Sequence, residues 1–147
     1  MAATRTSKKS SAPATFSAEE RAAMKERARE AKAERTRAED EQDVLDKIAD
    51  MPEADKVVAQ KIHDIVAKHA PQLTAKTWYG MPAYAKDGAV LVFFQPASKF
   101  KARYSTLGFN DVANLDEGRM WPTAFAITTL TKADEKTITE LVKKAAG

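Results

Sequence analysis

The stretch TWYGMPAYAKDGAVLVFFQ, residues 77–95, decides the fold. Asp87-Gly88 is a two-residue hairpin signal, because a tight turn with positive φ at both positions favours Asp followed by Gly. It joins MPAYAK (81–86) to AVLVFFQ (89–95), both rich in residues that suit a pleated surface. Upstream, Gly80 answers a need for positive φ or for close backbone approach. Met81 is held extended by the proline that follows it. Pro82 falls at a strand start, where a missing N–H is tolerated.

Working outward, the period stays near two. KFKARYSTLGF (99–109) alternates, with Lys99, Lys101 and Arg103 on one face and Phe100, Ala102 and Tyr104 on the other. A loop, NDVANLDEGR (110–119), follows. WPTAFAIT (121–128) is the next expected strand, opened by Pro122. Thr131, three residues before Asp134, caps a last helix whose inner face is Ile138, Leu141, Val142 and Ala145.

On the N-terminal side, the period changes to that of a helix. Residues 52–71 place Val58, Ile62, Ile65, Val66 and His69 at three- and four-residue spacing, between Pro52 and Pro71. Before them, EDEQDVLDKIAD (39–50) presents a short apolar face of Val44, Leu45 and Ile48. Residues 17–38 start with a capping box, Ser17 to Glu20, and are rich in Ala, Glu, Lys and Arg. Glu26 with Arg29 and Glu34 with Arg37 are spaced for ion pairs. Met24 is the only large apolar residue there, so this helix has little to bury. Residues 1–15 have no apolar period and are expected to be disordered. The expected organisation is a basic arm at 1–38, then an α+β two-layer domain at 39–147. That domain has an antiparallel sheet of four to five strands with helices packed on one face.

Composition narrows the chemistry. The chain has 147 residues, 44% hydrophobic and 31% charged, and no cysteine. Disulfides, thiolate metal sites and thiol nucleophiles are therefore excluded. No apolar run approaches the roughly 18 residues of a membrane span, and residues 1–17 lack the apolar core of a secretory signal. A cytoplasmic address and no membrane partner are the expectation. The net charge is +3. Residues 1–38 hold ten Lys/Arg against five Asp/Glu, whereas residues 39–147 hold fourteen against sixteen. The basic character belongs to the arm.

The residues carry a family resemblance. YGMPAY (79–84), reached from a helix ending in HAP, resembles the YdhG-like domain family of unknown function, as do the hairpin KDGAVLVFFQ and the closing helix. The resemblance spans roughly residues 44–146. KFKARYSTLGFND and GRMWPTAFAIT look like an actinobacterial-type branch with a charged N-terminal helix. The resemblance implies a compact antiparallel sheet backed by helices, and no established enzyme activity. Some relatives are described as frataxin-like iron chaperones, which implies weakly bound Fe²⁺.

No catalytic constellation appears. His63 and His69 lie six residues apart on one helix, so they point about 120° apart and form no metal pair; both read as structural. Phosphate loops, HExxH and nucleophile elbows are missing. Glu39, Asp40, Glu41, Asp43 and Asp46 form a carboxylate cluster that suits Fe²⁺, Mn²⁺ or Mg²⁺, or equally a solvated helix start. Asp111, Asp116 and Glu117 form a weaker trio. RMWPTAF (119–125) repeats the pattern of apolar residue, proline and aromatic, and the two corners are expected to face each other across neighbouring strands. Trp78, Tyr79, Met81, Pro82, Tyr84, Phe94, Arg103, Tyr104, Arg119 and Trp121 are the candidate pocket, joined by Lys101 and Phe125, for an anionic or planar ligand. The same aromatics also fit as anchors between sheet and helices. The expectation is a small non-enzymatic binding domain handling iron or a small ligand. The alternative is nucleic-acid or acidic-partner binding through residues 1–38 with the basic face at 99–103.

Overall fold

The computed structural model describes residues 17–147; the expected disorder of residues 1–15 lies outside them. The elements are α1 (Ala18–Ala49), α2 (Glu53–His69), β1 (Thr74–Trp78), β2 (Met81–Lys86), β3 (Ala89–Gln95), α3 (Ala97–Phe100), β4 (Ser105–Phe109), β5 (Ala124–Ile127) and α4 (Lys132–Ala146). The chain divides into two compact units between Thr36 and Arg37.

In the first unit, the capping box forms as its sequence dictates. The Ser17 N–H donates to Glu20 Oε1 at 2.9 Å, and the Glu20 N–H donates to Ser17 Oγ at 3.1 Å. Arg29 pairs with Glu26 at 3.0 Å. The described side chains from Ala18 to Thr36 are solvent-exposed, as a helix with Met24 as its one large apolar residue must be. The helix does not pause where composition changes near residue 39; α1 runs unbroken to Ala49. Strong helix formers lie on both sides of that point and no breaker separates them.

The second unit is a mixed α+β domain. Five antiparallel strands form a meander in the order β1-β2-β3-β4-β5. Val44 and Ile48 of α1, Val58, Ile62, Ile65 and Val66 of α2, and Ile138, Val142 and Ala145 of α4 share one core. From the sheet come Tyr84, Val92, Phe94, Leu107, Phe109 and Ile127. Burying each large aliphatic or aromatic side chain contributes about 1.5–3 kcal/mol. The helices of the core therefore back one face of the sheet; within this unit the other face, where Met81, Ala83 and Ala85 are buried outside that core, carries no core helix and is the uncovered face.

Two hairpins share one turn geometry. Asp87 and Gly88 have φ of 50° and 85°, and Lys86 pairs with Ala89. Tyr79 and Gly80 have φ of 51° and 76°, and Trp78 pairs with Met81. Both are two-residue turns with positive φ throughout, the type whose twist matches the strands. The sequence announces only the first. The second creates β1, a strand the two-residue period does not reveal. The Met81–Pro82 bond is trans.

β3 does not alternate because it carries a bulge. Tyr84 faces Val92 and Ala85 faces Val90, so Leu91 is the extra residue. Leu91 and Val92, adjacent in sequence, consequently both reach the core. α4 begins with the expected capping box between Thr131 and Asp134. The Thr131 N–H and hydroxyl hold the Asp134 carboxyl below its ordinary range.

Three expectations need correction. KFKARY is not strand: residues 97–100 form a helical turn, and β4 begins only at Ser105. Pro96 caps that turn, and Lys101 ends it with φ of 52°. The alternating basic face at Lys99, Lys101 and Arg103 therefore does not form. Second, β5 is shorter than expected, and Trp121 and Pro122 precede it. Third, the two proline corners do not face each other, since β3 and β4 stand between β2 and β5.

Candidate functional site

The candidate pocket splits in three. Tyr84 and Phe94 are fully buried in the core on the helix side of the sheet, so neither lines an open site. Pro82 and Met81 are also buried. Trp121 packs against the core beyond β4. With Phe109, Asn110, Asp111 and Asp116 it lines a cavity of about 370 Å³ beneath the 110–123 loop. Arg119 is exposed in that loop. Trp78 and Tyr79 lie elsewhere, at the β1–β2 turn on the uncovered face.

That uncovered corner is built from strand register. Trp78 and Lys76 share a face of β1, two residues apart. Ala83 pairs with Lys76 on one side and with Phe93 on the other, and Phe93 pairs with Gly108. The Phe93 ring lies flat over Gly108: a Cβ added at Gly108 would come within 2.3 Å of Phe93 Cζ. The glycine thus gives the ring its seat. Phe93 and Trp78 rings are 5.1 Å apart, and Trp78 and Tyr79 are 5.0 Å apart, edge to face, a favourable aromatic geometry. Tyr79 is 78% exposed.

Lys99 completes the corner. The helical turn α3 brings its Nζ beside Gly80, 2.9 Å from where a Cβ would stand. A buried carboxylate holds that turn in place. Asp55 Oδ2 accepts the Ser98 N–H at 3.1 Å and the Ser98 hydroxyl. Asp55 Oδ1 accepts from Ser105 Oγ at 3.4 Å, and Ser105 Oγ in turn accepts the Ala97 N–H at 2.9 Å. Beyond Lys99, Phe100 and Tyr104 are exposed, and Arg103 stacks on Tyr104 with 5.2 Å to the ring centroid.

The charges sort themselves by element, which whole-domain counting conceals. Residues 65–110 hold six Lys/Arg and a single carboxylate, Asp87. Residues 39–64 hold nine carboxylates and three lysines. The strands and α3 are therefore cationic, and the end of α1 with α2 is anionic. Counting charge between successive Asp residues reveals this from sequence; treating 39–147 as one body does not.

The carboxylate cluster is placed as follows. Glu39 and Asp43 are exposed and Asp40 is half-buried. Asp46 accepts the Gln42 amide at 2.9 Å. Glu41 turns to His63, Oε2 to Nε2 at 3.1 Å, while His63 Nδ1 meets the Tyr84 hydroxyl at 3.0 Å. Among the described residues, no three His, Asp or Glu side chains gather as a metal-holding group. Asp111 and Asp116 share the Trp121 cavity, and Glu117 instead reaches Lys144 at 3.5 Å. His63 is the buried histidine and His69 is half-buried, the reverse of what the apolar stripe suggests. Among the described residues His63 meets two polar groups: Glu41, which accepts, and Tyr84, which donates when the ring is neutral.

No protein-family model matches the chain, and neither a curated protein nor a solved structure matches it. No helix among the described residues is long and apolar enough to cross a membrane.

Proposed function

We propose that the chain is a non-enzymatic binding domain that takes a planar, anionic ligand on the uncovered face of its sheet, at Trp78, Tyr79, Phe93 and Lys99. The observation that carries this reading is Tyr79. A left-handed backbone is unfavourable for tyrosine by about 1–2 kcal/mol, and Asn, Asp or Gly is the ordinary occupant of that turn position. Here the strained residue presents a large ring to water. Strain at an exposed aromatic points to use of the ring rather than to folding. Trp78 packs against it edge to face, and Lys99 supplies positive charge beside the neighbouring Gly80. The YdhG-like resemblance has its most specific residues, YGMPAY, on this same turn.

The test is an amide-shift titration of the full chain with adenosine 5′-monophosphate. Shifts concentrated at residues 76–81, 93 and 99, and lost in Tyr79→Asn, are expected. Shifts confined to the Trp121 cavity, or no shifts at millimolar nucleotide, overturn the proposal.

A further inference from the structure

We infer that the ligand of this face is single-stranded nucleic acid, its bases stacking on Tyr79 and Trp78 and its phosphates meeting Lys76 and Lys99. This rests on the proposed planar-anion reading and names its partner. Three observations carry it.

The first is shape. The Trp78, Tyr79 and Phe93 rings rise from this face, and beyond Phe93, which covers Gly108, the face continues at β5 with the small, exposed Ala124 and Ala126. A base inserts against Tyr79 only if it is unpaired, because the faces of paired bases are covered by their neighbours. The second is charge. Lys76 is the only charged residue among the outward-facing strand positions that run from Lys76 and Trp78 through Ala83 and Phe93 to Gly108. Lys99 stands beside the turn, at Gly80, and the sequence has no carboxylate between residues 88 and 110. The third is the alternation of ring and cation. Trp78 and Tyr79 stand with Lys76 on β1 and with Lys99 beside Gly80, and along the chain from Lys99 the rings of Phe100 and Tyr104 alternate with Lys101 and Arg103. This is the combination by which sequence-tolerant single-strand binders hold base and backbone together. The lone ring of a mononucleotide uses one stacking position; a strand uses several.

The experiment measures fluorescence-anisotropy binding of a labelled twelve-nucleotide thymidine strand, a blunt duplex of the same length and poly-glutamate to the full chain, with amide shifts locating each. The strand is expected to bind at least about tenfold more tightly than duplex or poly-glutamate. Its shifts should fall on residues 76–81, 93 and 99–104. Tyr79→Asn suits the turn and preserves folding, which its thermal midpoint verifies; it should weaken strand binding about tenfold. Lys76→Gln and Lys99→Gln should each flatten the salt dependence, by roughly 0.7 in the slope of log affinity against log salt. Equal binding of poly-glutamate or duplex, insensitivity to Tyr79→Asn, or shifts restricted to residues 17–36 each overturn the inference. Binding of adenosine 5′-monophosphate at the corner with no gain from a strand overturns this inference and leaves the planar-anion reading standing. Failure of both ligands at that corner removes both.

Discussion

Asp55 and Ser98 are joined twice: one carboxylate oxygen of the helix α2 residue accepts both the N–H and the hydroxyl of the α3 residue. Asp55 is 8% exposed, and its other oxygen accepts from Ser105. The two residues are 43 apart in sequence. This clasp fixes the turn that carries Lys99 to the helix layer, so the core and the proposed binding face are mechanically linked.

Asp55→Ala should therefore cost about 2 kcal/mol in urea denaturation, since it removes the acceptor of both Ser98 donors and of the buried Ser105 hydroxyl at once. It should also move the amide resonances of residues 97–101. Asp55→Asn, which keeps an accepting oxygen, should cost less. A loss under about 1 kcal/mol for the alanine variant would mean that water replaces the carboxylate without penalty.

Gly108→Ala should unseat Phe93. The glycine backbone is ordinary for a strand, so only the ring stands in the way of a Cβ. Overpacking of this kind costs about 1–3 kcal/mol. The Trp78–Phe93 contact should be lost with it, read as disappearance of mutual ring-current shifts. Pairing the change with Phe93→Ala should recover much of the stability. If the two losses simply add, the ring is not seated on the glycine.

Tyr79→Asn should raise stability by about 1 kcal/mol, because Asn tolerates the left-handed turn that Tyr occupies under strain. A gain in thermal midpoint together with a loss of ligand shifts would separate binding from folding at this residue. A fall in the midpoint would show that the tyrosine ring holds the hairpin together.

Tyr84 should make the protein alkali-sensitive. Burial, followed by the negative charges of Asp64 and Glu41, raises its hydroxyl well above the ordinary 10.0. The unfolded chain releases this proton near pH 10.0, while the folded chain retains it. Stability from Tyr84 is thus whole below that pH and falls as pH rises past it, by up to about 1.4 kcal/mol per pH unit. Tyr84→Phe should cost about 1 kcal/mol at pH 7, where the hydroxyl bonds His63. It should lose less than the unaltered protein between pH 10 and pH 11.5. Parallel denaturation curves across that range would place Tyr84 in contact with water.

Much of this architecture is legible in residues. Ser17 with Glu20 and Thr131 with Asp134 set helix starts, because each cap is closed by atoms three residues apart. Asp87-Gly88 sets a hairpin by the φ values its own side chains permit. Val58, Ile62 and Val66 mark a buried stripe by spacing alone. Tyr79-Gly80 went unread as a second turn because tyrosine is a poor occupant of it, and that mismatch is the feature on which the proposed binding face rests.

The sequence by itself determined the class of the fold, its caps, its stripes and one turn, all through interactions between near neighbours. Only the tertiary structure decided which aromatics are core and which are surface. Strand alternation assigns Tyr84 and Trp78 to opposite faces, but not which face the helices cover. Only packing converted KFKARY from a strand-like pattern into a helical turn, since the carboxylate that holds Ser98 comes from Asp55, far away in the chain. Pairing across the sheet likewise separated Trp121 from Trp78. These outcomes depend on contacts between residues tens of positions apart, where burial of the whole outweighs local preference.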